Sequence, residues 1–115
     1  MQKKAGIIGL GLIGGSIGLA LREEGWEVIG RDIIPSRVNE ALRIGAITGE
    51  GSMGDCEIVF AATPVSGIAE SVRQAFTEGA SAVTDVGSVK GSIVSQVDDT
   101  RFIPGHPMAG SEQEG

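Results

Sequence analysis

The feature that most constrains this chain is a glycine-rich segment near its start, Gly9-Leu10-Gly11-Leu12-Ile13-Gly14. The apolar run of residues 5–9 leads into it, and residues 13–24 follow it with apolar side chains at helical spacing. A second strand is expected over residues 27–30, with the carboxylate of Asp32 just beyond its end. This pattern predicts a phosphate-binding turn in a parallel α/β sheet, since it combines a buried strand, a tight turn, a helix and an acid after the next strand.

Each glycine of the turn has its own expected role. Gly9 permits the tight turn, Gly11 lets the backbone approach a pyrophosphate because it has no Cβ, and Gly14 lets the helix lie close to the strand. The N–H groups of the first helical turn, which includes Leu12 and Ile13, then face the phosphates and are assisted by the helix dipole. The alternative is a tight strand-to-helix turn without a ligand, but the flanking pattern favours a dinucleotide site.

Strands and helices alternate along the rest of the chain. Helices are predicted over residues 35–44, 64–76 and 89–97, and strands within 47–55 and over 57–62, 80–86 and 101–104. Only 3% of the residues are aromatic, so the core must consist of Ile, Val, Leu and Ala, which suits strands covered by helices on both faces. We therefore expect residues 1–115 to form one α/β domain with a doubly wound, mainly parallel sheet, the Rossmann fold.

The residues at the ends of the strands bear on the choice of cofactor. Asp32 stands where a carboxylate accepts hydrogen bonds from the adenosine ribose and repels a 2′-phosphate, which favours NAD. Arg31 argues for NADP, because a guanidinium beside the ribose accommodates a 2′-phosphate, and Arg37 would assist it. The alternative for Arg31 is a position along the adenine face or in solvent. NAD is the predicted cofactor and NADP the alternative. Thr63 and Pro64 are expected to line the cofactor site, Thr63 on the nicotinamide side, or else only to begin a helix.

Composition narrows the classes of partner. The formal net charge is −6 without a basic run, which weighs against nucleic acid or an anionic membrane. No apolar run approaches the ~20 residues of a membrane span, and no convincing leader cleavage site follows the basic start. The single cysteine, Cys56, fits a reducing cytoplasm and is expected to be a packed apolar side chain. With one histidine and one cysteine, no metal site is predicted.

Two later segments are more specific than the glycine turn. They are Thr-Asp-Val-Gly-Ser-Val-Lys at residues 84–90 and Phe-Ile-Pro-Gly-His-Pro-Met-Ala-Gly-Ser-Glu at residues 102–112. Together with the glycine turn and residues 62–64, they resemble the amino-terminal domain of the prephenate dehydrogenase family along essentially the whole chain. The resemblance implies oxidative decarboxylation of prephenate to 4-hydroxyphenylpyruvate in tyrosine biosynthesis, with hydride transfer to NAD or NADP. Some members act on arogenate and yield tyrosine.

The resemblance also implies roles for individual residues. His106 matches the family's catalytic histidine, and imidazole suits uptake of the ring hydroxyl's proton because it titrates near neutral pH. Ser88 matches a serine that hydrogen-bonds this histidine and the reacting hydroxyl, although a serine there also suits a helix N-cap. Ser111 and Glu112 match positions near the substrate, and Glu112 would otherwise be a solvated loop acid.

Members of the family carry a second, helical domain that forms a homodimer and supplies an arginine to a substrate carboxylate. The sequence ends at Gly115, before such a domain. We expect the 115-residue chain alone to bind cofactor and to turn over little prephenate, because remote contacts orient a substrate for reaction. The alternatives are an arogenate dehydrogenase or related reductase and a non-catalytic nucleotide-binding module, which would not require His106 and Ser88.

Overall fold

The computed structural model describes residues 3–86 and the backbone of residues 102–103. The strands are β1 (Lys4–Ile8), β2 (Glu27–Arg31), β3 (Gly49–Glu50), β4 (Ile58–Ala61), β5 (Val83–Asp85) and β6 (Phe102–Ile103), and the helices are α1 (Leu12–Glu23), α2 (Pro35–Ile44) and α3 (Val65–Glu78). The six strands form one sheet in the order β3-β2-β1-β4-β5-β6, and each neighbouring pair is parallel. This order confirms the doubly wound Rossmann fold predicted from the alternation of elements.

Helices cover both faces of the sheet. Consecutive residues of a strand face opposite sides, and Ile7 and Ile8 of β1 accordingly belong to different buried clusters. Ile7 packs with Val38 and Ala41 of α2 and with α1, whereas Ile8 packs with α3. The fully buried side chains in these clusters are mainly aliphatic, as the low aromatic content requires. Within residues 3–86, no helix is long and apolar enough to cross a membrane.

The best predicted element is α2, because both of its ends carry a local cue. Pro35 occupies the first turn, where its missing N–H has no partner to lose, and Gly45 ends the helix in the left-handed region at φ 81°. Gly79 ends α3 in the same way at φ 112°. The last residue of this helix, Glu78, lies two positions beyond the predicted end. The helix predicted over residues 89–97 lies outside the described residues.

The fifth strand is shorter than predicted. The apolar run suggested residues 80–86, but the ladder extends only over Val83–Asp85. The N–H of Ala80 bonds the carbonyl of Ala75 at 3.0 Å and so closes the end of α3 instead of joining the sheet. The third strand is a two-residue segment inside the predicted 47–55 region, and the sixth covers two of the four predicted residues.

Candidate nucleotide-binding site

A cleft of about 710 Å³ opens at the carboxyl ends of β1, β2 and β4. Its lining includes residues of the glycine turn (Gly9, Gly11, Ile13), the end of β2 and the residues after it (Arg31, Asp32, Ile33, Ile34), the β4–α3 junction (Ala62, Thr63, Pro64) and α3 (Gly67, Glu70, Ser71, Gln74). The chain leaves β1 toward β2 on one side, and β4 continues toward β5 on the other. The cleft therefore lies at the point where the strand order reverses, the usual ligand site of such sheets.

The three glycines of the turn differ in what surrounds them. Gly9 has φ 103°, and a Cβ there would lie 2.7 Å from the carbonyl carbon of Ala62. A Cβ on Gly14 would overlap the carbonyl oxygen of Gly9 and lie 3.2 Å from Cγ2 of Ile7. A Cβ on Gly11 meets nothing closer than Nη1 of Arg37 at 3.9 Å and would project into the open cleft. Glycine is therefore required at positions 9 and 14 because neighbouring backbone leaves no room for a Cβ, whereas at Gly11 the missing Cβ leaves space for a ligand.

The first turn of α1 supplies hydrogen-bond donors to this space. Gly11 is the N-cap residue, no side chain caps it, and the first turn has no acidic residue. The N–H groups of Leu12, Ile13 and Gly14 lack an intrahelical carbonyl four residues earlier. Gly15 is the first to bond within the helix, donating to the carbonyl of Gly11 at 2.8 Å. These N–H groups and the helix dipole favour an anion at the turn.

Asp32 joins the glycine turn to the end of β2. Its side chain is only 4% exposed, and its two oxygens accept different backbone N–H groups. Oδ2 accepts from Leu10 at 2.6 Å, and Oδ1 accepts from Ile34 at 2.8 Å. Nη1 of Arg37 lies 3.9 Å from Oδ2. The sequence predicted that Asp32 binds a ribose, but not that its carboxylate holds the backbone of the glycine turn. A carboxylate oxygen accepts more than one hydrogen bond, so the two roles are compatible.

Arg31 is engaged along the α3 side of the cleft. Its Nη2 lies 2.6 Å from Oε1 of Glu78 and 3.1 Å from the carbonyl oxygen of Gly51, and both charged side chains are 28% exposed. Oε1 of Glu78 also accepts the N–H of Met53 at 2.8 Å. The hydrogen bond from Arg31, with help from Met53, holds the pKa of Glu78 below its ordinary value of 4.5. Glu78 was not predicted as a partner, because it lies 47 positions from Arg31 and belongs to no motif.

The β4–α3 junction contributes a pair of hydroxyl groups. Thr63 lines the cleft, and its Oγ1 lies 3.4 Å from Oγ of Ser71. Ser71 is a buried polar residue of α3 that no sequence motif indicated. Pro64 is the N-cap residue of α3 and also lines the cleft. Hydroxyl groups at this position can orient a polar ligand by donating or accepting a hydrogen bond.

Other predicted residues fall in the core or beyond the described part. Cys56 is fully buried, and burial raises the pKa of its thiol, as expected of a packed apolar side chain. No group of three or more His, Cys, Asp or Glu side chains within residues 3–86 is arranged to hold a metal ion. The predicted catalytic and substrate residues lie outside the described residues: Ser88, His106, Ser111 and Glu112.

The sheet order, the glycine turn and the uncapped helix start at the switch point define a nucleotide-binding domain of the Rossmann type. The family model for "Prephenate dehydrogenase, nucleotide-binding domain" matches residues 17–115. The chain belongs to the prephenate dehydrogenase family as its nucleotide-binding domain.

Individual relatives agree with this assignment. The prephenate dehydrogenase of Bacillus subtilis is 36% identical over 95% of this chain and 33% of its own length. The crystal structure of Aquifex aeolicus prephenate dehydrogenase with hydroxyphenyl propionate and NAD+ superimposes with a TM-score of 0.79 at 31% identity, over 98% of this chain and 44% of that one. Synechocystis arogenate dehydrogenase gives a TM-score of 0.73 at 30% identity, over 81% of this chain and 36% of that one. The chain spans about a third of the length of the curated relatives.

Proposed function

We propose that this domain binds NAD in the cleft and presents its nicotinamide to prephenate, as part of a prephenate dehydrogenase. The observation that carries the proposal is Gly11, whose missing Cβ leaves open space at the uncapped start of α1. The residues present fit the cofactor. The N–H groups of the α1 first turn would hold the pyrophosphate, Asp32 the adenosine ribose, and Thr63 and Pro64 the nicotinamide side.

Family similarity supports the chemistry proposed for the later residues. Bound NAD supplies the acceptor for the hydride that leaves the hydroxyl-bearing ring carbon. His106 takes the proton of that hydroxyl as the carbonyl forms, and Ser88 hydrogen-bonds the same oxygen and orients the imidazole. The carboxylate lost as carbon dioxide leaves its electron pair in the ring, which becomes aromatic. Ser111 and Glu112 would contact the substrate.

Binding of NAD to the chain is the direct test. Isothermal titration calorimetry should give a dissociation constant for NAD, and Gly11→Ala should weaken it roughly tenfold or more, since the new methyl group projects into the space needed by the pyrophosphate. Gly15→Ala is the matched control, because a Cβ there has no neighbour within 4 Å and Gly15 does not line the cleft. No NAD binding, or equal affinity in the Gly11 variant, would reject the proposal.

Arogenate is the second candidate substrate, and the similarity to the Synechocystis arogenate dehydrogenase supports it. Steady-state assays of the full-length protein with prephenate and with arogenate, each with NAD and NADP, separate the two by kcat/KM. His106→Asn in that protein should abolish hydride transfer and spare NAD binding. Binding of NAD by the full-length protein without turnover of either substrate would instead favour the non-catalytic nucleotide-binding module.

The remaining proposals concern surroundings and assembly. A cytoplasmic location is supported by the presence of one cysteine, which cannot form a disulfide within the chain. The formal charge of −6 supports a small-molecule partner over nucleic acid or an anionic membrane. The homodimer implied by the family resemblance stays a prediction, and analytical ultracentrifugation of the full-length protein tests it.

A further inference from the structure

We propose that Glu78 sets the cofactor preference of this domain by holding Arg31 away from the ribose position marked by Asp32. The inference rests on the proposed binding of NAD in the same cleft. It makes Glu78 a positioning residue, since its carboxylate acts on the cofactor only through the guanidinium that it holds.

Two residues at the end of β2 have opposite consequences for a 2′-phosphate. Asp32 repels it, whereas a free guanidinium beside the ribose would pair with it by charge-assisted hydrogen bonds. Arg31 is adjacent to Asp32 in the chain and lines the same cleft, so a released side chain would be within reach of that position. The preference between NAD and NADP therefore depends on where the Arg31 guanidinium is held.

The guanidinium is held by two acceptors outside the ribose position. Nη2 of Arg31 donates to Oε1 of Glu78 at 2.6 Å and to the carbonyl oxygen of Gly51 at 3.1 Å. Only the arginine, and not Glu78, lines the cleft. A 2′-phosphate could recruit Arg31 only by breaking a partly buried ion pair, whose side chains are each 28% exposed.

The carboxylate of Glu78 is anchored independently of Arg31. Its Oε1 accepts the backbone N–H of Met53 at 2.8 Å, so the acceptor stays in place when the arginine moves. Glu78 is also the last residue of α3, a position where the helix dipole disfavours a negative charge. The bonds from Arg31 and Met53 offset that cost. The acceptor is thus preformed, which favours the engaged conformation of Arg31.

The experiment compares NAD with NADP, and ADP with 2′,5′-ADP, by calorimetry on the wild-type chain and on Glu78→Gln and Glu78→Ala. We expect the wild type to prefer NAD. Both variants should bind NADP and 2′,5′-ADP roughly tenfold more tightly, the scale of one charge-assisted hydrogen bond, while affinities for NAD and ADP stay within about twofold. Combining Glu78→Ala with Arg31→Met should remove the gain. Should Glu78→Ala fail to fold, Glu78→Gln still carries the test because its amide oxygen can accept the Met53 N–H.

Glu40→Gln is the matched control. It removes the same charge from another arginine pair, that of Glu40 with Arg43 on α2, and Glu40 does not line the cleft. A similar gain of NADP affinity in Glu40→Gln and Glu78→Gln would overturn the inference. Equal affinity of the wild type for NAD and NADP would overturn it as well. Unchanged NADP affinity in Glu78→Gln and Glu78→Ala, with NAD binding intact, would overturn it and leave the proposed function standing. Failure of the wild type to bind either dinucleotide would instead reject the proposed function.

Discussion

Replacing Gly14 with alanine tests whether the third glycine of the turn exists for packing. A Cβ at Gly14 would overlap the carbonyl oxygen of Gly9, and would lie 3.1 Å from its carbon and 3.2 Å from Cγ2 of Ile7. Backbone atoms cannot rotate aside as a flexible side chain can, so α1 must move away from β1. Such overpacking costs about 1–3 kcal/mol in proteins.

The matched variant is Gly15→Ala in the same helical turn. Alanine gains roughly 0.5–1 kcal/mol over glycine from helix propensity, and this gain applies at both positions. No atom lies within 4 Å of a Cβ at Gly15, so the propensity gain stands alone there. The difference between the two variants therefore isolates the overlap with Gly9, and Gly14→Ala should be the less stable by about 1–3 kcal/mol.

Urea unfolding followed by far-UV circular dichroism measures both free energies of unfolding, and an unchanged m-value confirms that the denatured state is comparable. Thermal melts should show the same order, separated by at least several degrees for a domain of this size. Equal stability of Gly14→Ala and Gly15→Ala would refute the packing argument. It would mean that α1 can move away from β1 at little cost in stability and that Gly14 has another role.

Two further predictions concern ionisable side chains. Because the folded-state pKa of Glu78 lies below 4.5, its contribution to stability is present above that value and is lost as pH falls through the folded pKa. Glu78→Gln should therefore be less stable than wild type at pH 7, with the difference in unfolding free energy shrinking at acid pH below 4.5, and a difference independent of pH would contradict this. Cys56 should react with iodoacetamide roughly a hundredfold or more slowly in the folded chain than in denaturant, because its thiol is buried and its pKa is raised. Labelling of the folded chain at the denatured rate would show that this core opens freely.

Local sequence cues predicted the parts of the fold that depend on backbone conformation. Pro35 and Gly45 marked both ends of α2, because proline restricts φ to a helical value and glycine tolerates the left-handed conformation that ends a helix. The structure places the helix where these two residues indicate. The glycine turn predicted the β1–α1 junction for the same reason. The parallel pairing of the strands followed from their alternation with helices, since parallel neighbours need crossover connections.

Contacts between distant segments were not predictable in this way. Ala80 belongs to an apolar run that predicts a strand, but its N–H donates to the carbonyl of Ala75 at the end of α3. This hydrogen bond depends on the folded helix end and could not be predicted from the apolar run. Arg31 suggested a 2′-phosphate ligand because it is adjacent in sequence to Asp32, which is predicted to bind the ribose of the cofactor. Its actual partners, Glu78 and the carbonyl of Gly51, lie 47 and 20 positions away. No periodicity or motif marks a salt bridge between a strand end and the far end of a helix.

The bracing role of Asp32 limits how cofactor preference can change in this domain. An acid at the end of β2 repels a 2′-phosphate, so its removal is the direct route toward NADP. Here the same carboxylate accepts hydrogen bonds from the N–H groups of Leu10 and Ile34. Its loss would remove the acceptor of two backbone donors beside the glycine turn proposed to hold the pyrophosphate. A change at Glu78 frees a cation without disturbing those bonds. The two routes therefore differ in their effect on NAD itself, which the first should weaken and the second should spare.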